Sequence, residues 1–167
     1  IMNTKIQPTD DDDFASLASW ISSSDDCLLW AGPAVRYPHS VEELKEDLTT
    51  EETVSLSSKN ETNELLEFGQ IWSRNQLSAH LGRIIINPKL RKNGYGKKLI
   101  HSLIREARSK FDHDTITLKV YRRNRTASTI YKSLGFEEAT EESNDESMLM
   151  KIQAKKAPQT TSASARI

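Results

Sequence analysis

Residues 78–110, SAHLGRIIINPKLRKNGYGKKLIHSLIREARSK, constrain the fold more than any other part of the chain. The run 78–88 has a β-branched centre at Ile84, Ile85 and Ile86 and reads as a strand. Pro88 ends it, because proline brings no N–H to a ladder. Gly94 and Gly96 open a turn, and from Tyr95 to Lys110 an apolar stripe of Leu99, Ile100, Leu103, Ile104 and Ala107 recurs at helical spacing. A buried strand and an amphipathic helix joined so closely must share one core, so a helix has to lie on a sheet.

The remaining segments fit that plan. NTKIQP (3–8) reads as a strand, and 8–21 as a helix with aspartates in its first turn. Residues 22–38 contain Gly32, Pro33 and Pro38 and read as a loop. Ser40-Val41-Glu42-Glu43 is a capping box that opens the helix VEELKEDL. TVSLSS and ELLEFGQIWS read as strands separated by KNETN, and DTITLKVY (114–121) as another. Asn124 caps the helix NRTASTIYKSLG, which Gly135 closes. FEEAT and ESMLMKI are the last strands, joined by EESND. The order β-α-α-β-β-β-α-β-α-β-β gives an α+β fold: one domain, 1–153, with a mixed, mostly antiparallel sheet of about seven strands and about four helices. Residues 154–167 lack core residues and read as a flexible tail.

With 167 residues, 36% hydrophobic and 28% charged, the chain suits one globular domain. No apolar run approaches the roughly 18 residues of a membrane span. The N-terminus shows no signal-peptide pattern, and the Ile before Met2 reads as a processing remnant. A lone Cys27 excludes an internal disulfide, and no Cys/His cluster has metal spacing, so no metal is expected and the cytoplasm is the expected compartment. The net charge of -1 hides a division: residues 81–135 carry 14 Lys/Arg against 3 Asp/Glu, whereas residues 1–80 carry 5 against 15. The basic part suits an anionic ligand and the acidic part a cationic one.

Five cations, Lys89, Arg91, Lys92, Lys97 and Lys98, surround Gly94 and Gly96. A glycine turn at a helix start offers free N–H groups to an anion, and glycine lets a diphosphate approach closely. Neither G-x-x-x-x-G-K-[ST] nor G-x-G-x-x-G is present, so the usual nucleotide loops are excluded.

Arg91-Lys92-Asn93-Gly94-Tyr95-Gly96 resembles the R/Q-x-x-G-x-G/A loop of the GNAT acyl-CoA-dependent N-acyltransferases, and Asn124-x-x-Ala127-x-x-x-Tyr131-x-x-x-Gly135-Phe136 is similar to the family's second signature. The resemblance follows element order from residue 3 to about 152. It implies the GNAT fold, with the sheet splayed between strands 4 and 5, and acetyl-CoA as co-substrate. By resemblance, Arg91, Lys92, Asn93, Gly94, Tyr95, Gly96 and Lys97 hold the CoA pyrophosphate. The backbone of Ile84, Ile85 and Ile86 pairs with pantetheine and polarises the thioester, and Asn124 contacts the pantetheine arm. Tyr131 is the acid that protonates the departing thiolate.

Aminolysis of a thioester also needs a base for the ammonium proton. His80 lies where several relatives keep a glutamate; it reads either as that base or as a hydrogen-bonded sheet residue. Strand alternation puts it on one face with Gly82 and Ile84, and Arg83 on the other. Glu67 is the reserve. Arg122, Arg123 and Arg125 either meet the 3′-phosphate of CoA or are solvated. Trp20, Trp30 and Trp72 read first as packing, with Trp30 and Tyr37 also in the segment that lines the family's acceptor groove. Asp25 and Asp26 on one proposed wall, and Glu141, Glu142, Asp145 and Glu146 on the other, suggest a cationic amine acceptor, a small molecule or a peptide amine. The expected activity is therefore N-acetyl transfer in a ternary complex by a monomer or homodimer, with no membrane or nucleic-acid partner. A non-catalytic acyl-CoA-binding or sensing module on the same fold is the alternative.

Overall fold

The computed structural model describes residues 5–153. The expected tail, 154–167, lies outside them, as do residues 1–4. The described elements are β1 (Gln7–Pro8), α1 (Asp13–Trp20), α2 (Ser24–Ala31), α3 (Val41–Leu48), β2 (Val54–Lys59), β3 (Leu65–Ser73), β4 (Ser78–Ile86), α4 (Tyr95–Lys110), β5 (Thr115–Tyr121), α5 (Arg125–Ser133), β6 (Glu137–Glu138) and β7 (Ser147–Gln153). The sheet has seven strands in the order β1-β2-β3-β4-β5-β7-β6. Only β4 and β5 pair in parallel; the other neighbours are antiparallel.

The sequence reading missed α2. Ser23 caps it by accepting from the Asp26 N–H at 3.0 Å, and Gly32, with φ 77°, ends it. Only Cys27 and Ala31 are buried along its length, too thin a stripe to show as periodicity. The capping box at Ser40 is present in both directions, with Ser40 N–H donating to Glu43 at 3.0 Å and Glu43 N–H to Ser40 at 3.1 Å. Strands β1 and β6 are two residues each, shorter than expected, and Thr140–Glu142 forms a 3₁₀ turn between β6 and β7.

Two cores sandwich the sheet. Helix α4 lays Leu99, Ile100, Leu103, Ile104 and Ala107 against Ile71, Leu81, Ile116 and Leu118. On the opposite face α1, α2 and α3 close over Leu65, Phe68 and Ile85. Gly69 lets α4 approach, since a Cβ there would lie 2.7 Å from Leu103 Cδ1.

Two irregularities in β4 shape everything near it. Its ladder to β5 runs only from Ser78↔Thr115 to Leu81↔Leu118. Beyond that point β4 stays paired with β3 and β5 with β7, so the strands part while each is held on its outer side. Second, Phe68 pairs with Ile85 and Gln70 with Gly82, so Arg83 and Ile84 together oppose Gly69. This is a β-bulge, and Arg83 takes a positive φ of 50°. The bulge reverses alternation. Ile84 and Ile86 pack with the α4 core, as Leu81 does, while Ile85 joins the opposite core. Arg83 lies over Trp72, the cross-strand neighbour of His80. The expected faces of Ile84 and Arg83 are thus exchanged, because plain alternation does not survive an inserted residue.

Candidate active site

The parting of β4 and β5 opens a cavity of about 680 Å³. One wall is β4 from Leu81 to Ile86, and the other is β5 from Leu118 to Val120. Because the ladder has ended, the β4 edge facing β5 at Ile84, Ile85 and Ile86 has no strand partner there.

One end of the cavity reaches the glycine turn. Gly94 has φ 81° and ψ 0° and stands at the N-cap of α4, a left-handed conformation that glycine adopts without strain. Behind it, the first-turn N–H groups of α4 have no intrahelical acceptor. Arg91, Lys92, Gly94, Tyr95, Gly96 and Lys97 all line the cavity. Asn93 does not; its side chain folds the turn by donating to the carbonyls of Leu90 and Arg91, both at 3.2 Å. A Cβ on Gly96 would meet only Ile130 Cδ1, at 3.8 Å, so the protein itself does not demand glycine there. The cradle therefore fits a pyrophosphate: free N–H groups, three cations and a bare Cα at the approach.

Helix α5 supplies the opposite side. Asn124 caps it, accepting from Ala127 N–H at 3.3 Å, and lines the cavity. Tyr131, one of the same lining set, packs its ring edge-on to Phe136 at 6.1 Å. Burial pushes the phenol pKa up to about 12, so it stays protonated. The described residues offer its hydroxyl no hydrogen bond. Trp20, Ile21, Asp26, Leu29 and Trp30 complete the cavity from α1 and α2.

His80 lies outside this lining. Its Nδ1 is 2.7 Å from Thr117 Oγ1, and its ring sits 4.8 Å from that of Trp72. Burial, reinforced by Arg74, Arg83 and Lys119, lowers its pKa to about 4. Glu67 is not in the lining either. It faces Ser58, which donates at 2.7 Å, and desolvation raises its pKa. The acidic wall near the last strands is also displaced: Glu141, Glu142, Asp145 and Glu146 are absent from the lining, and Glu142 lies 3.7 Å from Arg74. Asp25 is clamped by Arg123 at 2.6 and 2.9 Å, and Arg122 holds Glu138, so these arginines are engaged within the protein. Asp26 is the one carboxylate in the lining. Tyr37 borders a separate shallow hollow, and Trp72 is packed under Arg83. Sequence reasoning passed over Arg83 as a site residue because it aimed that side chain at the wrong face; Trp20 it read as packing.

Residues 34–151 match the family model described as "Acetyltransferase (GNAT) domain". The chain belongs to the GNAT acetyltransferase family. Over 86 residues it is 26% identical to a UPF0039 protein of Schizosaccharomyces pombe (strain 972), which takes in 52% of this chain and 56% of that protein, so the chain spans about half the length of this curated relative. Solved GNAT-type structures resemble it along nearly their whole length. The spermidine N-acetyltransferase of Vibrio cholerae, in complex with CoA and spermine, has a TM-score of 0.72 at 18% identity, covering 90% of this chain and 95% of that one. The PaiA N-acetyltransferase of Thermoplasma acidophilum, in complex with coenzyme A, gives 0.70 at 18%, covering 91% and 99%. The ribosomal-protein-S18-alanine N-acetyltransferase of Escherichia coli gives 0.67 at 19%, covering 95% and 98%. These likenesses share the fold. No group among the described residues could hold a metal ion, and no helix there is long and apolar enough to cross a membrane.

The histidine makes a prediction about stability. A pKa of about 4 in the folded state, below the ordinary 6.5, means that the unfolded chain binds the extra proton between those values. Stability is then full above pH 6.5 and is lost as pH falls toward 4. His80→Asn, which keeps a polar partner for Thr117, should flatten the urea-midpoint curve between pH 6.5 and 4.5. Parallel curves for the two proteins would show that His80 is not the group responsible.

Proposed function

We propose that this protein transfers an acetyl group from acetyl-CoA to a primary amine by direct attack within a ternary complex. One juxtaposition carries the reading: the unpaired edge of β4, the left-handed turn at Gly94 and the free hydroxyl of Tyr131 bound one cavity. Acetyl-CoA supplies a thioester-activated acyl group. The first-turn amides of α4, with Arg91, Lys92 and Lys97, take its pyrophosphate. The backbone of Ile84–Ile86 takes the pantetheine amides, and an N–H of this edge polarises the acyl carbonyl. Asn124 steadies the pantetheine arm.

Tyr131 then acts on the leaving sulfur. A phenol near pKa 12 is a weaker acid than an ordinary thiol of roughly 8.5, so full proton transfer would run uphill in water. In a buried site the thiolate is destabilised by the same desolvation. A hydrogen bond from the phenol to the developing thiolate is therefore worth most as the C–S bond breaks. The acceptor proton has no well-placed histidine to receive it. Neither His80 nor Glu67 lines the cavity, so we assign its removal to water at the open mouth, near Asp26.

Gly96→Val should leave the thermal midpoint within a few degrees and lower CoA affinity at least tenfold, because the side chain fills the pyrophosphate approach while its Cβ meets only Ile130 Cδ1, at 3.8 Å. Calorimetry finding unchanged affinity in the folded variant would remove the turn from the cofactor site.

Tyr131→Phe should lower kcat by roughly 10- to 1,000-fold with CoA affinity nearly intact, since only the leaving step loses its donor. A full rate at saturating acetyl-CoA would take Tyr131 out of the chemistry.

With water as the proton acceptor, log kcat/KM should climb with unit slope up to the pKa of the acceptor amine itself. His80, neutral above about pH 5, contributes no inflection. A break near pH 6.5 that vanishes in His80→Asn would reinstate histidine as the base.

A further inference from the structure

The structure assigns to Arg83 the binding of a carboxylate on the amine acceptor, and so points to acceptors that are amino acids or related carboxylate-bearing amines. This rests on the acetyltransferase reading and narrows it.

The bulge delivers Arg83 to the cavity beside Gly82, on the stretch of β4 that has just left β5. Only one of its nitrogens is engaged. Nη1 donates to Gln70 Oε1 at 2.9 Å, while Nε and Nη2 have no acceptor among the described residues. No carboxylate oxygen of those residues lies within 4 Å of the guanidinium. The support beneath it is rigid. Its Cζ stands 5.4 Å from the centre of the Trp72 ring, and Gln70, fully buried, donates in turn to the Leu48 carbonyl at 2.7 Å and to Ser55 at 2.8 Å. Gly82 leaves room for that ring, since a Cβ there would be 2.4 Å from Trp72. The guanidinium is half-buried, its Nε and Nη2 remain open to a ligand, and its planar fork suits a carboxylate.

The rest of the lining points the same way. Lys119 lines the cavity from β5, adding a second cation on a wall remote from the phosphate turn. Trp30 lines it from α2, and its indole N–H is buried without an acceptor. The lining carries a single carboxylate, Asp26, so with Arg91, Lys92 and Lys97 given to the pyrophosphate a polycation would still face Arg83 and Lys119 with one partner. Trp20, Ile21, Leu29 and Trp30 make the nearby wall apolar, which suits an amino acid with a large apolar side chain.

The test uses acceptors with the same side chain, L-phenylalanine against L-phenylalaninamide and L-leucine against L-leucinamide, with KM expressed per neutral amine because the amide also lowers the amine pKa. CoA release is followed at saturating acetyl-CoA. The wild-type KM should be at least tenfold lower for the carboxylate member, at comparable kcat. Arg83→Gln should collapse that ratio toward one, and Arg83→Lys, which keeps the charge and loses the fork, should restore part of it. CoA binding by calorimetry should match wild type in both variants, which certifies their folding. Calorimetry of the protein–CoA complex with L-phenylalanine reads the same site without turnover, and the heat should vanish in Arg83→Gln. Amides used as well as the acids, or a ratio that survives Arg83→Gln, would overturn the proposal and leave acetyl transfer standing. A preference for succinyl-CoA over acetyl-CoA that disappears in Arg83→Gln would also overturn it, by placing the carboxylate on the acyl donor. Binding of L-phenylalanine with no amine acetylated would instead overturn the acetyltransferase reading and uphold the anion site.

Discussion

The early end of the β4–β5 ladder, at Leu81↔Leu118, is the constraint on which the site depends. A strand edge inside a domain normally finds a partner, because unpaired backbone polar groups are expensive to bury. Here the sheet leaves them open and holds the gap from outside, with β3 on one flank and β7 on the other. The opening is therefore a built slot, not a frayed end. A ligand that brings its own amides can restore the missing ladder, so recognition and completion of the sheet become one event.

The bulge at Arg83 and Ile84 acts on the same strand and decides what faces the slot. It costs a positive φ at a non-glycine residue, of order 1–2 kcal/mol. The gain is a reversal of side-chain parity in mid-strand. Before it, Leu81 serves the α4 core; after it, Ile84 and Ile86 take over that role and Ile85 fills the other core with Phe68. Without the bulge one of the two cores would receive the wrong residues. The residue that absorbs the irregularity is also the one delivered to the cavity, so a packing device positions a polar group.

Periodic and capped elements were legible in the sequence because their signals are local. The stripe of α4, the box at Ser40, the cap at Asn124 and the turn at Gly94 each lie within a few residues. Helix α2 was not, since two buried residues in eight make no stripe. Its loss mattered, for α2 carries Asp26, Leu29 and Trp30 to the cavity. The bulge was illegible for another reason: it is a relation between β3 and β4, with Gly69 opposite two residues, and nothing inside β4 alone announces it. For His80 the sequence left two readings, base or hydrogen-bonded sheet residue, because depth does not show in a strand's own residues. An imidazole suits base catalysis only if water or substrate reaches it, and this one is bonded to Thr117 and packed on Trp72.

Charge counting along the chain stops short of the field that a ligand meets. The acidic first half and basic middle suggested opposed fields, but charges cancel in space between residues far apart in sequence. Arg123 neutralises Asp25 across 98 positions, Arg122 takes Glu138, and Arg74 approaches Glu142. Pairs of this kind leave little field beyond a Debye length of roughly 8–10 Å at 0.1–0.15 M salt. What a ligand meets is the remainder, the charges that the fold leaves without a partner. Around the glycine turn that remainder is Arg91, Lys92 and Lys97. In the deeper cavity it is Arg83 and Lys119, opposite in sign to the acceptor wall drawn from composition. A ligand in this cavity meets the charges that remain unpaired after folding, and the number of acids or bases in a stretch of chain does not reveal which those are.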